Sequence, residues 1–225
     1  MKYISIDIET TGLNPLTCNT LSIGAIIEDT NNPVPYEELP KFHVAILHEE
    51  LQGSPFAINM NRDLIETIVQ YQTAKDQDEK NDLVQMTGMQ FVKLHEVAQL
   101  FHDFLYENGM SANPMSFHEG QHVRNVNGKM LPLIGLKTKP SVITAAGKNF
   151  GTFDKLFLEQ IPQWNQVVKF RSRIIDPSIL FVDWKNDEQL PSLNDCKERA
   201  NISGVVTHNA LEDAWDVIQT LRTKY

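Results

Sequence analysis

Four acidic residues and one histidine, spread over nearly the whole chain, set the tightest constraint on the fold: Asp7, Glu9, Asp154, His208 and Asp213. Each carboxylate stands where a fold could turn it inward. Carboxylates do not gather without compensation, because like charges repel and desolvation costs roughly several kcal/mol per ion. A pair of divalent cations would compensate them. Two cations held about 4 Å apart by carboxylates form an apparatus that cleaves phosphodiesters.

The stretch Tyr3-Ile4-Ser5-Ile6-Asp7-Ile8-Glu9 alternates with the period of a β-strand. Period two puts Tyr3, Ser5, Asp7 and Glu9 on one face and Ile4, Ile6 and Ile8 on the other. Asp7 and Glu9 therefore project from one face, close enough to share metal ions. Thr10 to Pro15 then ends the strand, with Gly12 and Pro15 as breakers. An all-oxygen ligand set suits Mg²⁺ or Mn²⁺ rather than Zn²⁺. An isolated pair of this kind is more often a strand end dipping into solvent, so its weight comes from its partners downstream.

Those partners lie near the C-terminus. Leu211, Ala214, Trp215, Ile218 and Leu221 recur at helical spacing, which predicts a helix over 209–222. Asn209 is placed to cap it, with Glu212 three residues later as in a capping box. Asp213 falls about one turn in, and His208 falls in the loop just before. A helical carboxylate that holds a metal and a loop histidine that takes a proton from water make a workable division of labour.

With these three motifs in view, the chain resembles the DEDDh exonucleases of the ribonuclease H-like superfamily, whose members include proofreading subunits, RNase T and oligoribonuclease. Asp7 and Glu9 match the first motif, D-x-E-T-T-G-L; Asp154 matches the acid of the second; His208 and Asp213 match the third, H-x-A-x-x-D-A. The resemblance takes in Ile175-Asp176-Pro177 and the region of Leu193, and it spans the chain, loosely over 30–140. Many relatives place an asparagine four residues before the second-motif acid. Here Asn149 lies five before Asp154 with Gly151 between them, which leaves the role of Asn149 open.

The resemblance implies an α/β fold: a mixed five-stranded sheet, its first three strands antiparallel and the later ones parallel, flanked by helices. It implies a metal-dependent 3′–5′ exonuclease that releases nucleoside 5′-monophosphates from a nucleic-acid 3′ end, with single strands preferred and DNA the favoured substrate. Two ions, Mg²⁺ or Mn²⁺, would be held by Asp7, Glu9, Asp154 and Asp213, and His208 would be the general base. The backbone at Thr10 and Thr11 would approach the terminal nucleotide, with Leu13 wedged against its base. Asn149 is a further candidate contact, and Phe153 or Phe150 could stack on a base. Core packing is the expectation for at least one of the two phenylalanines.

Other function classes remain to be weighed. An RNA-trimming exoribonuclease or oligoribonuclease-like enzyme shares the chemistry. A catalytically silent interaction module would be favoured by loss of a carboxylate or of His208, and none is missing. A phosphatase for small nucleotides would need a pocket closed to polymers.

At 225 residues and 41% hydrophobic the chain can bury one substantial core, so a single domain over 1–225 is expected. The first ten residues already carry Lys2, Asp7 and Glu9, which argues against a signal peptide. No apolar run approaches membrane-spanning length. Cys18 and Cys196, the two cysteines, form no C-x-x-C and fit a reducing cytoplasm. The net charge of −9 does not suit a protein that coats long nucleic acid. Two readings compete: either the protein does not act on nucleic acid, or it handles a short single-stranded end, and four of the negative charges are the site carboxylates themselves. Local cations that could help are Lys129, Lys137, Lys139, Lys148, Lys169, Arg171 and Arg173.

Along the chain, strands are expected over 2–9, 20–28 and 41–47, as an antiparallel meander. A helix is expected over 61–71, a loop over 73–82, an amphipathic helix over 91–107 and a strand over 142–146. Helix, strand, helix and helix then follow. Residues 109–140 read as an insertion with a hairpin turned at Asn127-Gly128. His118 and His122 within it lack the partners that would complete a zinc site.

Overall fold

The computed structural model describes residues 1–111 and 139–225, together with the pairing of two strands at 123–126 and 129–132. In chain order the elements are β1 (Lys2–Thr10), β2 (Thr20–Asp29), β3 (Lys41–Leu47), α1 (Pro55–Met60), α2 (Arg62–Thr73), α3 (Gln77–Thr87), β4 (Gln90–Lys93) and α4 (Val97–Glu107). After these come β5 (Val123–Val126), β6 (Lys129–Pro132), β7 (Ser141–Ile143), β8 (Ala145–Ala146), α5 (Asp154–Leu158) and α6 (Trp164–Val167). The last are β9 (Val168–Phe170), α7 (Ser178–Phe181), α8 (Leu193–Arg199) and α9 (Ala210–Arg222).

Five strands form the main sheet in the order β4-β3-β2-β1-β8. The first three strands are antiparallel, while β4 and β8 run parallel to their neighbours β3 and β1. The alternation in β1 divides the core as its sequence requires. Ile4, Ile6 and Ile8 pack on one face with Phe101 and Leu105 of α4, Phe157 of α5 and Trp164 of α6. Tyr3 packs on the other, against Ala214, Val217, Ile218 and Leu221 of α9. A smaller cluster joins Leu21 and Ala45 to Ile68 of α2 and to Phe91.

Three local expectations are corrected. Residues 91–107 are not one helix: Gln90–Lys93 is a strand, and the helix starts at Val97. Residues 73–82 are not a loop throughout. Helix α3 runs Gln77–Thr87, capped by the Asp76 carboxylate at the amides of Asp78 and Glu79 and ended by Gly88 at φ 67°. The strand expected over 142–146 is divided at Thr144. Its second half joins the main sheet, while β7 pairs with β9 in a separate parallel ladder. The fifth strand of the sheet is therefore β4 and not the late strand β9.

Strands β5 and β6 pair antiparallel, with Val126 opposite Lys129, as a hairpin at Asn127-Gly128 requires. Those two residues, His118, His122, Lys137 and most of the 109–140 insertion lie outside the described residues. Among the described residues no helix is long and apolar enough to cross a membrane.

Candidate active site

The site is assembled at the C-terminal end of β1. Asp7 and Glu9 leave the same face of the strand, and α9 is brought down onto that face by Gly24. Gly24 of β2 pairs with Asp7, and a Cβ there would lie 2.2 Å from the Ala210 carbonyl carbon and 2.3 Å from Leu211 N. Only a residue without a side chain lets the first turn of α9 rest on the strand. The helix is fixed there by Asn209, whose side chain accepts from Leu211 N and Glu212 N. Glu212 does not close a capping box: its carboxylate accepts from the Thr207 hydroxyl at 2.6 Å. Asp213 then falls beside Glu9. One ligand atom each from Glu9, His208 and Asp213 lie within 4.8 Å of one another.

Asp154 arrives from the other side of β1. Strand β8 pairs with β1 only at Ile4 and Ser5, and the Ile4 amide donates to Thr144 O on that edge. The Ile8 amide points to the same edge by the strand's period, beyond the reach of β8. The Asp154 carboxylate accepts from it, and from its own backbone amide at the start of α5. Gly147 makes the turn between them possible, since a Cβ there would lie 2.8 Å from Ile6 O.

The electrostatics are those of a crowded acid cluster. Burial pushes the Asp7 carboxyl well above the usual carboxylate range, with further upward pressure from Asp154, Asp213 and Glu9 in turn. Burial and then Asp213 raise Glu9 to about 7, although an Asn61 hydrogen bond favours its ionised form. Asp154 is raised to about 7 by burial, against the pull of its two amides. Asp213 is raised to about 6, again by burial first, with Thr207 N–H and His208 opposing. Among the described residues no lysine or arginine offsets the charge on Asp7, Glu9 or Asp154. Their all-oxygen donor set and the spacing at Glu9, His208 and Asp213 fit hard divalent cations.

Asp216, one turn past Asp213, is tied to a buried lysine: Lys197 Nζ of α8 lies 2.5 Å from Asp216 Oδ2, with both residues buried. This pair anchors α8 against the helix that carries Asp213.

A cleft of about 330 Å³ opens over the cluster, lined by Asp7, Glu9, His208 and Asp213 on its floor and by Leu13, Phe56, Met60 and Phe153 on its walls. Leu13 and Phe56 are 84% and 78% exposed, which leaves large apolar side chains open to a ligand beside three carboxylates. Thr10 lines the same cleft, its hydroxyl donating to Gly12 O at 2.8 Å. His208 is exposed and holds a left-handed backbone, φ 57°.

Three sequence candidates do not line the cleft: Asp154, which is buried, Thr11 and Asn149. Thr11 is fully buried, and its hydroxyl is engaged with Asn19 N and Gln52 O. Asn149 lines a neighbouring groove with residues of the 186–193 segment, its amide donating to Asp176 Oδ2 at 3.0 Å. Of the two phenylalanines, Phe150 is core and packs edge-on against Phe170, while Phe153 reaches the cleft. Sequence reasoning missed Gly24, Phe56, Met60 and Asn61. Asn61 Nδ2 donates to Thr10 O at 3.1 Å and its side chain bonds Glu9.

No protein-family model matches the chain, and no curated protein matches it in sequence. Solved structures do share its fold. Escherichia coli Exonuclease I in complex with a dT13 oligonucleotide aligns over 99% of this chain and 40% of its own, at 15% identity and a TM-score of 0.54. The zinc-bound form of an E. coli ExoI–ssDNA complex aligns with the same coverage at 16% identity and a TM-score of 0.54. A moderately thermophilic Exonuclease I from Methylocaldum szegediense gives 14% identity and a TM-score of 0.54, again over 99% of this chain and 40% of its own. The chain thus spans about two-fifths of the length of these proteins. Its mixed five-stranded sheet flanked by helices is the ribonuclease H-like fold of those neighbours.

Proposed function

We propose that this chain is a metal-dependent 3′–5′ exonuclease that hydrolyses single-stranded nucleic acid, DNA foremost, and releases nucleoside 5′-monophosphates. The observation that carries this reading is the convergence of four carboxyl groups from three distant segments: Asp7, Glu9 and Asp213 line one open cleft with His208 beside them, and the buried Asp154 bears on Asp7 from behind. Added support comes from the neighbours of this fold that hold single-stranded oligonucleotides. Mg²⁺ or Mn²⁺ held by Asp7, Glu9, Asp154 and Asp213 would neutralise the cluster and lend Lewis acidity to the scissile phosphate.

The protein's own groups have distinct tasks in this reading. The Ile8 amide orients Asp154 and the Thr207 amide orients Asp213, so both ligands are preset before substrate arrives. His208, exposed in its loop, accepts a proton from the attacking water at an imidazole nitrogen. Leu13, Phe56, Met60 and Phe153 offer apolar faces to the terminal base, where stacking on an aromatic ring is worth roughly 1–3 kcal/mol and tolerates any base. The deciding experiment uses matched 3′-labelled DNA and RNA oligonucleotides with Mg²⁺ or Mn²⁺. Labelled 5′-mononucleotide as first product, lost on adding EDTA, is expected. Full activity in excess EDTA would refute the metal reading, and faster release from RNA would reassign the substrate.

A further inference from the structure

The loop after β1 and the segment before α1 are joined by a closed set of hydrogen bonds centred on Asn19. The Asn19 carbonyl accepts from Thr11 N at 2.9 Å, and its amide donates to Thr11 Oγ1 at 2.7 Å. Its side-chain Oδ1 accepts from Gln52 N at 2.6 Å, and its Nδ2 lies 3.2 Å from His48 Nδ1. His48 Nε2 lies 2.7 Å from Thr20 O. Ser54 N donates to Thr11 O at 2.8 Å, and Gly53 lets these strands of chain touch, since a Cβ there would lie 2.1 Å from Thr11 O.

The polarity of this set is fully determined. A backbone amide can only donate, so Asn19 turns its oxygen to Gln52 and its NH₂ to His48. The NH₂ can only donate, so His48 Nδ1 carries no proton. The Thr20 carbonyl can only accept, so Nε2 carries one. The network therefore assigns a neutral imidazole in a single tautomer. An imidazolium would set an N–H against the Asn19 NH₂. The ring's partners are neutral groups. Around it, Gln72 of α2 donates to His48 O, Glu49 and Glu50 follow it in the chain, and Lys93 of β4 pairs with Leu47.

Both tied segments lead directly into cleft walls, Gly12 and Leu13 from one and Ser54, Phe56 and Met60 from the other. We propose that Asn19 and His48 are positioning residues: through a neutral His48 they hold these two walls at a fixed separation and so set where the substrate's 3′ end sits. The occupant named here rests on the exonuclease reading; the latch itself does not.

Asn19→Asp tests it. The variant keeps an acceptor for Gln52 but presents a second acceptor to His48, which only an imidazolium satisfies. The KM for a single-stranded oligonucleotide is measured beside wild type from about pH 5.5 to 8.5. The variant's KM is expected to exceed wild type by about three- to tenfold at the alkaline end, the worth of one mismatched hydrogen bond. It should approach wild type at the acid end, with kcat little changed, and the variant's melting deficit should shrink in parallel. Nitrogen-15 spectra of wild-type His48 should show Nε2 protonated and Nδ1 bare at alkaline pH. A KM ratio flat with pH, or an Nδ1-protonated ring, overturns the latch. If neither protein cleaves, the exonuclease reading falls, while the spectra and the melting curves still decide the latch.

Discussion

Glu9→Gln should stabilise the metal-free protein at alkaline pH while destroying its site. The Glu9 carboxyl is raised from its ordinary 4.5 to about 7 by burial and by Asp213. At about 1.4 kcal/mol per pH unit, ionising it in the fold costs about 3 kcal/mol more than ionising it in the unfolded chain. The sign follows from proton binding. Between its unfolded and folded pKa values the native state holds the extra proton, so stability falls as pH rises from about 4 to about 7 and is flat above. The introduced amide would carry no charge and can keep the Asn61 contact. Because Asp213 and Asp154 reprotonate or relax in response, the realised gain should be nearer 1–2 kcal/mol, or about 3–6 °C for a chain of this size. Melting in EDTA at pH 8 and pH 5 is the assay. The variant should melt above wild type at pH 8 and match it at pH 5, and saturating Mg²⁺ should reverse the order by stabilising wild type alone. A variant that melts lower than wild type at pH 8 in EDTA would refute the account of the cluster as mutually repelling carboxylates.

Gly24→Ala should cost more than about 4 kcal/mol in thermal or urea unfolding and abolish activity, because its Cβ would meet the Ala210 backbone and push α9 off the strand. Lys197→Met should destabilise by about 3–5 kcal/mol by leaving the Asp216 carboxylate buried without a partner; urea unfolding of Lys197→Met with Asp216→Leu should recover most of that loss. His208→Ala should lower kcat by about 10²- to 10⁴-fold in single-turnover assays, with oligonucleotide binding in Ca²⁺ and the melting curve largely kept. A parallel loss of melting temperature and near-normal turnover would make His208 a structural residue.

The parts of the site written in local patterns were legible, and the parts made by chain crossing were not. Period two in β1 put Asp7 and Glu9 on one face, and the helical spacing after Asn209 put Asp213 one turn in; the structure has both. Gly24 carries a readable sign, since a glycine inside a strand marks a close backbone approach, but nothing in the sequence says that α9 is what approaches. The Asn19–His48 pairing has no spacing signature at all. Strand β4 was hidden because Phe91, Leu94 and Val97 also fit a helical stripe, and pairing with β3 decides the matter. Helix α3 reads as loop in the sequence because it is polar, and in the fold none of its residues is buried. Its caps, Asp76 and Gly88, were the overlooked signal.

The central claim, a cation-loaded carboxylate cleft that consumes a strand from its 3′ end, meets its most direct test in a time course on a 5′-labelled single-stranded oligonucleotide. The substrate is offered with a free 3′-hydroxyl and with a blocked one, in Mg²⁺, beside Asp154→Asn. The free end should yield a ladder that shortens one nucleotide at a time, the blocked end should resist, and the variant should be inert though folded. Internal fragments, equal digestion of the blocked strand, or full turnover by Asp154→Asn would contradict it.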